Sequence, residues 1–431
     1  MKLHLNMRQQ TRVVVLGSIL LQLLVTVVKP GILGHWLGPL VSLAAAIVPF
    51  WYIGRQHLVA RPVTDSVPVS WLRPGLFLAM VAGLFVYAGV VDAYLLDAAH
   101  SDVIPTVQLF VQRLLTGAVP YDTITEFGYY LAPTYLPMHW LPFVVSEWFG
   151  MDARVWSLIL FYVFALVFIR PLQHSATHSR TATMLSYVPV LFMLLLLLFQ
   201  RDDMGYSIEL LLAGYYLLFC RSLKTINPWL AAAALVCILL SRFSLVLWLP
   251  LAVVVLWQQR GFPFILKVGI PVLAGILLLY VLPFLLERPQ SFMNAQDYYA
   301  LAAHKEWSGQ AWQQAGDDPF QISRGLGFAF WCYRLIPGTL AERIEVVRLL
   351  HLCMSLLTVA VFIWLYFRSY RAKMPLPVFL MGSLHVYLWV FTLFIQVPYP
   401  YLFFIPLAVS LAWTAEVTLA YTVEAAPDQN R

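Results

Sequence analysis

Residues 92–143 read DAYLLDAAHSDVIPTVQLFVQRLLTGAVPYDTITEFGYYLAPTYLPMHWLPF. Apolar runs flank this stretch, and the stretch itself is acidic. Asp92, Asp97, Asp102, Asp122 and Glu126 fall within it and Glu147 just beyond, against one Arg or Lys, Arg113. Inside it, Val103, Val107, Phe110, Val111 and Leu114 recur at helical spacing opposite Gln108, Gln112 and Arg113. That pattern predicts a short amphipathic helix over 103–115, suited to lie in a membrane interface. Gly117 closes it and Pro120-Tyr121 opens the next turn.

Working outward, the chain has 431 residues, 61% of them hydrophobic and 11% charged, with mean hydropathy +0.77. Soluble domains carry about 25% charged residues, so composition excludes a soluble globular protein. Apolar runs of roughly 20 residues span a bilayer as helices, which satisfy their own backbone groups. The fold class expected is therefore all-α, a polytopic transmembrane bundle forming a single integral domain over 1–431. The net charge of +6 is spread in short basic clusters between apolar runs. That is the positive-inside pattern of a membrane protein, not a nucleic-acid surface. Cys220, Cys237, Cys332 and Cys353 lie in or beside apolar segments without metal-ligand spacing and read as packing residues. Lys2, Arg8 and Arg12 precede the first run and no small-residue cleavage site follows it, so a retained first helix is expected.

Spans are expected at 13–28, 32–52 and 72–91, which delivers the acidic stretch 92–150 to the extracytoplasmic side. The three prolines Pro133, Pro137 and Pro142, with His139, suit a re-entrant or broken helix over 129–149. Later spans follow at 155–169, 184–199, 206–219, 229–240, 245–257, 264–286, 346–367, 378–395 and 402–421. The total is about twelve, with both termini and every basic cluster cytoplasmic. A second extracytoplasmic loop is expected over 287–320.

This arrangement collects Asp92, Asp97, Asp102, Asp202, Asp203, Arg242, the 287–320 loop and Gln396–Tyr401 on one face. Ionisable groups cost about 2.5–3.5 kcal/mol against lipid at mid-depth, so they are expected to line a shared wet cavity. Asp102 is the leading general base, with capping of the helix that follows it as the alternative. The spacing of Asp97, His100 and Asp102 is compatible with a divalent cation. Arg242, in LLSRFSLVLWLP, needs a partner, either phosphate or a structural acid. Arg324 is a second phosphate candidate. Tyr121, Tyr135, Gln396 and Tyr399 are further cavity candidates. His174 and His178 fall in a basic link and read as solvated. No nucleotide-binding motif is present, so a donor would be lipid-borne or enter from outside.

The sequence resembles the GT-C superfamily of polytopic glycosyltransferases, in particular its bacterial mannosyltransferase-like branch. The residues that carry the resemblance are SDVIPTVQLFVQRLLTGAVPYD at 101–122, the Tyr-Leu-Pro and Pro-Phe elements within 135–143, Arg-Asp-Asp at 201–203 and Ser-Arg-Phe-Ser at 241–244. Three spans precede the acidic loop here where many members have one. The resemblance implies an inverting hexosyl transfer, mannose among the sugars, from a polyprenyl-phosphate donor to a glycan or lipid acceptor outside the cell membrane. By that resemblance Asp102 would be the base, Asp202 or Asp203 the second acid, and Arg242 and Arg324 the partners of the departing phosphate. A transporter or flippase of a lipid-linked glycan and a membrane glycan polymerase are the alternative functions. Membrane lipids are expected partners and nucleic acid is not.

Overall fold

The structure, a computed structural model, describes residues 7–60, 72–98, 100–175, 187–309 and 318–424. Within these the chain is helical almost throughout, with one two-stranded ribbon in which His57–Ala60 pairs antiparallel with Tyr421–Glu424. Among the described residues, eight helices are long and apolar enough to cross a membrane, or nine if a bent pair counts as one span. That is fewer than the number of apolar runs. Val188–Phe199 and Pro228–Leu239 are helical but have 12 residues each, a rise of about 18 Å against a hydrocarbon core of about 30 Å.

Leu376–Leu393 and Pro400–Thr418 form the centre of the bundle, with 83% and 89% of their spanning windows buried, against 17% for the peripheral Phe262–Leu285. Glu209–Thr225 packs between Ala153–Ser175 and Phe404–Ala420 and is buried nearly all round. Between lipid-embedded helices the drive is van der Waals packing and internal hydrogen bonding. Both are present at the centre. Phe50 meets Phe362, Phe379 and Trp413 at ring-centroid distances of 4.9–6.2 Å. Ser410 Oγ lies 2.7 Å from His385 Nδ1 and accepts from Trp389 Nε1 at 3.0 Å, while His385 Nε2 reaches the Ala46 carbonyl at 3.2 Å.

The two ends of the bundle differ in chemistry. One gathers the ribbon, Arg55 stacked over Trp51, Tyr370 against Gly54, and Lys224 bonded to the buried Glu416 at 2.6 Å. The other gathers Tyr94, Asp102, Arg154, Asp202 and Asp203. The stretch 129–149 begins and ends at this second end. Tyr129 lies beside Asp102, and Arg154, just past the stretch, donates to the Tyr94 carbonyl at 2.7 Å. In between, Pro137–Trp148 turns by 110° into Ala153–Ile169. Proline at 137 and 142 explains the short pieces, Pro137–Trp140, Leu141–Phe143 and Val144–Trp148.

Val103–Leu115 is helical over the bounds its periodicity predicts, and its apolar face is covered by protein. Phe110 packs on Tyr121 and Trp140 at 5.5 and 5.7 Å. Within the expected loop 287–320, Ser291–Trp307 is a helix. His178 lies outside the described residues, as does the side chain of His174.

Candidate functional site

The acidic stretch is held in shape by Arg113. Its Nη1 donates to the carbonyls of Pro120 and Asp122 at 3.3 and 2.6 Å, and its Nη2 donates to the Thr123 carbonyl at 3.0 Å and Glu126 Oε1 at 2.7 Å. Burial opposes ionisation of Glu126, but hydrogen bonds from Arg113 and from nearby backbone amides, with the charge of Arg113, together outweigh it and hold the carboxyl below the usual range. Asp122 pairs with Arg288 at 2.8 Å, tying this stretch to the segment that enters Ser291–Trp307. Tyr121 is buried within the stretch. Its hydroxyl donates to the Tyr135 carbonyl at 2.9 Å and accepts from Trp140 Nε1 at 3.2 Å.

Asp102 immediately precedes Val103–Leu115 and its carbonyl accepts from the Thr106 amide at 2.9 Å. Its carboxylate makes no capping bond and instead accepts from the Tyr129 hydroxyl at 3.4 Å. Burial raises its pKa above the ordinary carboxylate value, and the Tyr129 hydroxyl holds it back in part. Asp97 and His100 contact each other at 3.1 Å and are exposed. Around Asp102, six tyrosines come within its electrostatic reach: Tyr129, Tyr135, Tyr298, Tyr299, Tyr399 and Tyr401. They come from three separate stretches of the chain, and all six are at least partly exposed.

Arg242 lies within electrostatic reach of Tyr135, Tyr299 and Tyr401. Its guanidinium is ion-paired to Glu209, which is buried at the start of Glu209–Thr225. Glu209 was not among the residues picked from sequence. The signal was there: a lone acid at the head of the apolar run ELLLAGYYLLF needs a partner as much as Arg242 does. A hydrogen bond from the Met138 amide to the Leu240 carbonyl, 2.7 Å, sets Pro137–Trp140 beside this pair. His139 is buried there, parallel to Tyr135 at 4.4 Å, and neither ring nitrogen has a hydrogen-bond partner among the described residues.

Asp202, Asp203 and Arg324 line an open cleft of about 580 Å³ together with His35, Tyr94 and Arg201. Asp202 accepts from the Tyr94 hydroxyl at 2.5 Å. Asp203 faces Arg324 Nη2 at 3.8 Å. Burial pushes the Asp203 carboxyl up to about 6, against the pull of Arg324 and with a smaller push from Asp202. One wall of the cleft depends on backbone contact. A Cβ on Gly38 would stand 2.4 Å from the Gly325 carbonyl oxygen, and one on Gly31 2.8 Å from that of Arg324. Glycine at these points lets 31–38 press on the turn that carries Arg324; Gly325 itself has φ +78°, the left-handed region. Arg154, held by Asp152 through Nε and Nη2 at 3.0 and 2.7 Å, donates to the Tyr94 and Gly205 carbonyls at 2.7 and 3.0 Å, fixing the opposite wall.

Gln396 and Tyr399 are both engaged. Gln396 Oε1 accepts from Arg348 Nε at 3.1 Å and its carbonyl from Trp307 Nε1 at 2.8 Å. Tyr399 donates to Glu306 Oε1 at 2.7 Å and stacks on Tyr401 at 5.3 Å with the rings 6° apart. Tyr401 links the two regions, lying within reach of Arg242, Glu209, Asp203 and Asp102. Among the described residues no three His, Cys, Asp or Glu side chains come together in a group that could hold a metal ion. Compared with family models, with curated proteins and with solved structures, the chain has no significant match.

Proposed function

We propose that this protein is a membrane glycosyltransferase that moves a hexose from a polyprenyl-phosphate donor to an extracytoplasmic glycan or lipid acceptor. Asp102 takes the proton of the acceptor hydroxyl as the acceptor oxygen bonds to the anomeric carbon from the face opposite the leaving group. The bond from that carbon to the phosphate oxygen breaks with inversion, and polyprenyl phosphate leaves with the electron pair. Arg324, whose nearest acid stands 3.8 Å away, meets the phosphate charge, and Asp202 and Asp203 serve acceptor binding. The observation that supports this reading is Asp102 itself. It is a carboxylate free of capping duty, with its pKa raised by burial, set among tyrosines at the carboxylate-rich end of a membrane bundle.

The test is purified protein in lipid nanodiscs with radiolabelled polyprenyl-phosphate hexoses, following label into acceptor. Asp102→Asn abolishes transfer while donor binding persists; an active Asp102→Asn protein removes this assignment. The Arg242–Glu209 pair set within the bundle favours transport as the second reading, because intrabilayer ion pairs mark substrate pathways. Under that reading, labelled lipid-linked glycan changes sides in proteoliposomes with no label reaching acceptor.

A further inference from the structure

The open cleft of about 580 Å³ carries charges of both signs that the fold leaves loosely met. Arg201 donates from Nε to the Leu197 carbonyl at 3.2 Å, and its terminal nitrogens have no hydrogen bond or ion pair among the described residues. The two carboxylates that line the cleft with it have no cation within hydrogen-bond distance among the described residues. Asp202 accepts from the neutral Tyr94 hydroxyl, and Asp203 stands 3.8 Å from Arg324. Ionisable side chains in a membrane protein are costly without a partner. A lone anion on Arg201 would sit beside two carboxylates, and a lone cation on the carboxylates would sit beside two arginines. An occupant that carries both signs suits all of them. The cleft also runs out into apolar surface. Leu198 and Phe199, at the end of Val188–Phe199, line it and are 59% and 46% exposed. Leu191, seven residues back on the face of Leu198, is exposed as well. An apolar strip about 10 Å long therefore leads from the charged cleft along that helix.

We propose that this cleft binds a zwitterionic phospholipid whose headgroup ends in a primary ammonium. The phosphate sits on Arg201, the ammonium donates to Asp202 and Asp203, and an acyl chain lies along Leu198 and Leu191. The proposal rests on the glycosyltransferase reading only in placing this lipid where that reading puts the acceptor; binding itself requires no transfer. Arg324 stays beside Asp203, open to the donor phosphate.

The experiment is native mass spectrometry of the full chain, delipidated in detergent and titrated with three probes. They are phosphatidylethanolamine, phosphatidylglycerol with the same acyl chains, and water-soluble glycerophosphoethanolamine. Phosphatidylethanolamine is expected to bind about tenfold tighter than either of the others, as charge-assisted hydrogen bonds of this kind allow. Arg201→Gln weakens its binding about tenfold. The double change Asp202→Asn with Asp203→Asn removes the preference for phosphatidylethanolamine while phosphatidylglycerol still binds, which shows the variant to be folded. Trp229→Ala, exposed on a different helix, changes neither. Phosphatidylglycerol binding as tightly as phosphatidylethanolamine overturns the proposal, as does an unchanged preference in the double variant. Glycerophosphoethanolamine binding as tightly as the lipid overturns the lipid assignment. If the lipid binds selectively but no hexose label is transferred, the cleft site stands and the transferase reading falls. If label is transferred with no selective lipid binding, the transferase reading stands and the cleft site falls.

Discussion

Glu209 holds the guanidinium of Arg242, 33 positions further along the chain, with its own side chain 1% exposed and that of Arg242 27% exposed. Each would be costly alone in this setting. A buried pair of this kind adds little net stability over apolar residues, but breaking it leaves an uncompensated charge. Arg242→Ala is therefore expected to cost about 3 kcal/mol, read as a lowered unfolding midpoint in detergent. The double change Glu209→Gln with Arg242→Gln recovers much of that loss. A double-mutant cycle with additive losses would show the two residues to be uncoupled.

Asp102 and Tyr129 give a pH prediction. A base works ionised, so transfer is lost as pH falls through the folded pKa of Asp102. Burial places that pKa above the ordinary value and the Tyr129 hydroxyl draws it down. Tyr129→Phe removes the second effect, so the acid limb of the rate profile moves to higher pH. Asp102→Asn lowers the rate by about 100- to 10,000-fold above that pKa and removes the acid limb.

Asp203 predicts a stability profile of the opposite sense. Its folded pKa of about 6 lies above the ordinary 3.8, so the folded state keeps a proton that the unfolded chain releases. Stability from this group is present below about pH 4 and lost as pH rises towards 6, a change of up to about 3 kcal/mol by linkage. Asp203→Asn flattens the unfolding midpoint across that window. Arg324→Ala removes the charge that lowers the pKa, so the window extends further upward.

Gly38 tests the wall of the cleft. Gly38→Ala sets a Cβ 2.4 Å from the Gly325 carbonyl oxygen and must displace the turn that bears Arg324. Overpacking of this kind costs about 1–3 kcal/mol, and donor turnover falls with it. Gly17→Ala is the control. Nothing stands within 4 Å of its Cβ, so the unfolding midpoint holds or rises slightly, as alanine suits a helix better.

Much of the fold is legible in the residues because hydropathy and proline act locally. The helix Val103–Leu115 shows in its 3.6-residue period, and the breaks after Pro137 and Pro142 show in the missing amides. Span counting fared less well. Apolar runs such as 184–199 and 229–240 look alike in composition, yet their helices have 12 residues each, with proline in the first turn of both. The stretch 287–320 reads as polar loop, yet holds the helix Ser291–Trp307, whose partly exposed tyrosines come within electrostatic reach of Asp102.

The sequence by itself determined a membrane-embedded helical chain, an amphipathic helix behind Asp102 and a short set of ionisable residues that need partners. Those follow from transfer free energies and periodicity, which each segment carries alone. Only the tertiary structure decided the pairings. It gave Arg242 to Glu209, stood Asp203 opposite Arg324, and drew tyrosines from 129–135, 298–299 and 399–401 around one carboxylate. Such pairings join residues up to hundreds of positions apart. Their energies depend on distance and burial, which no local pattern encodes.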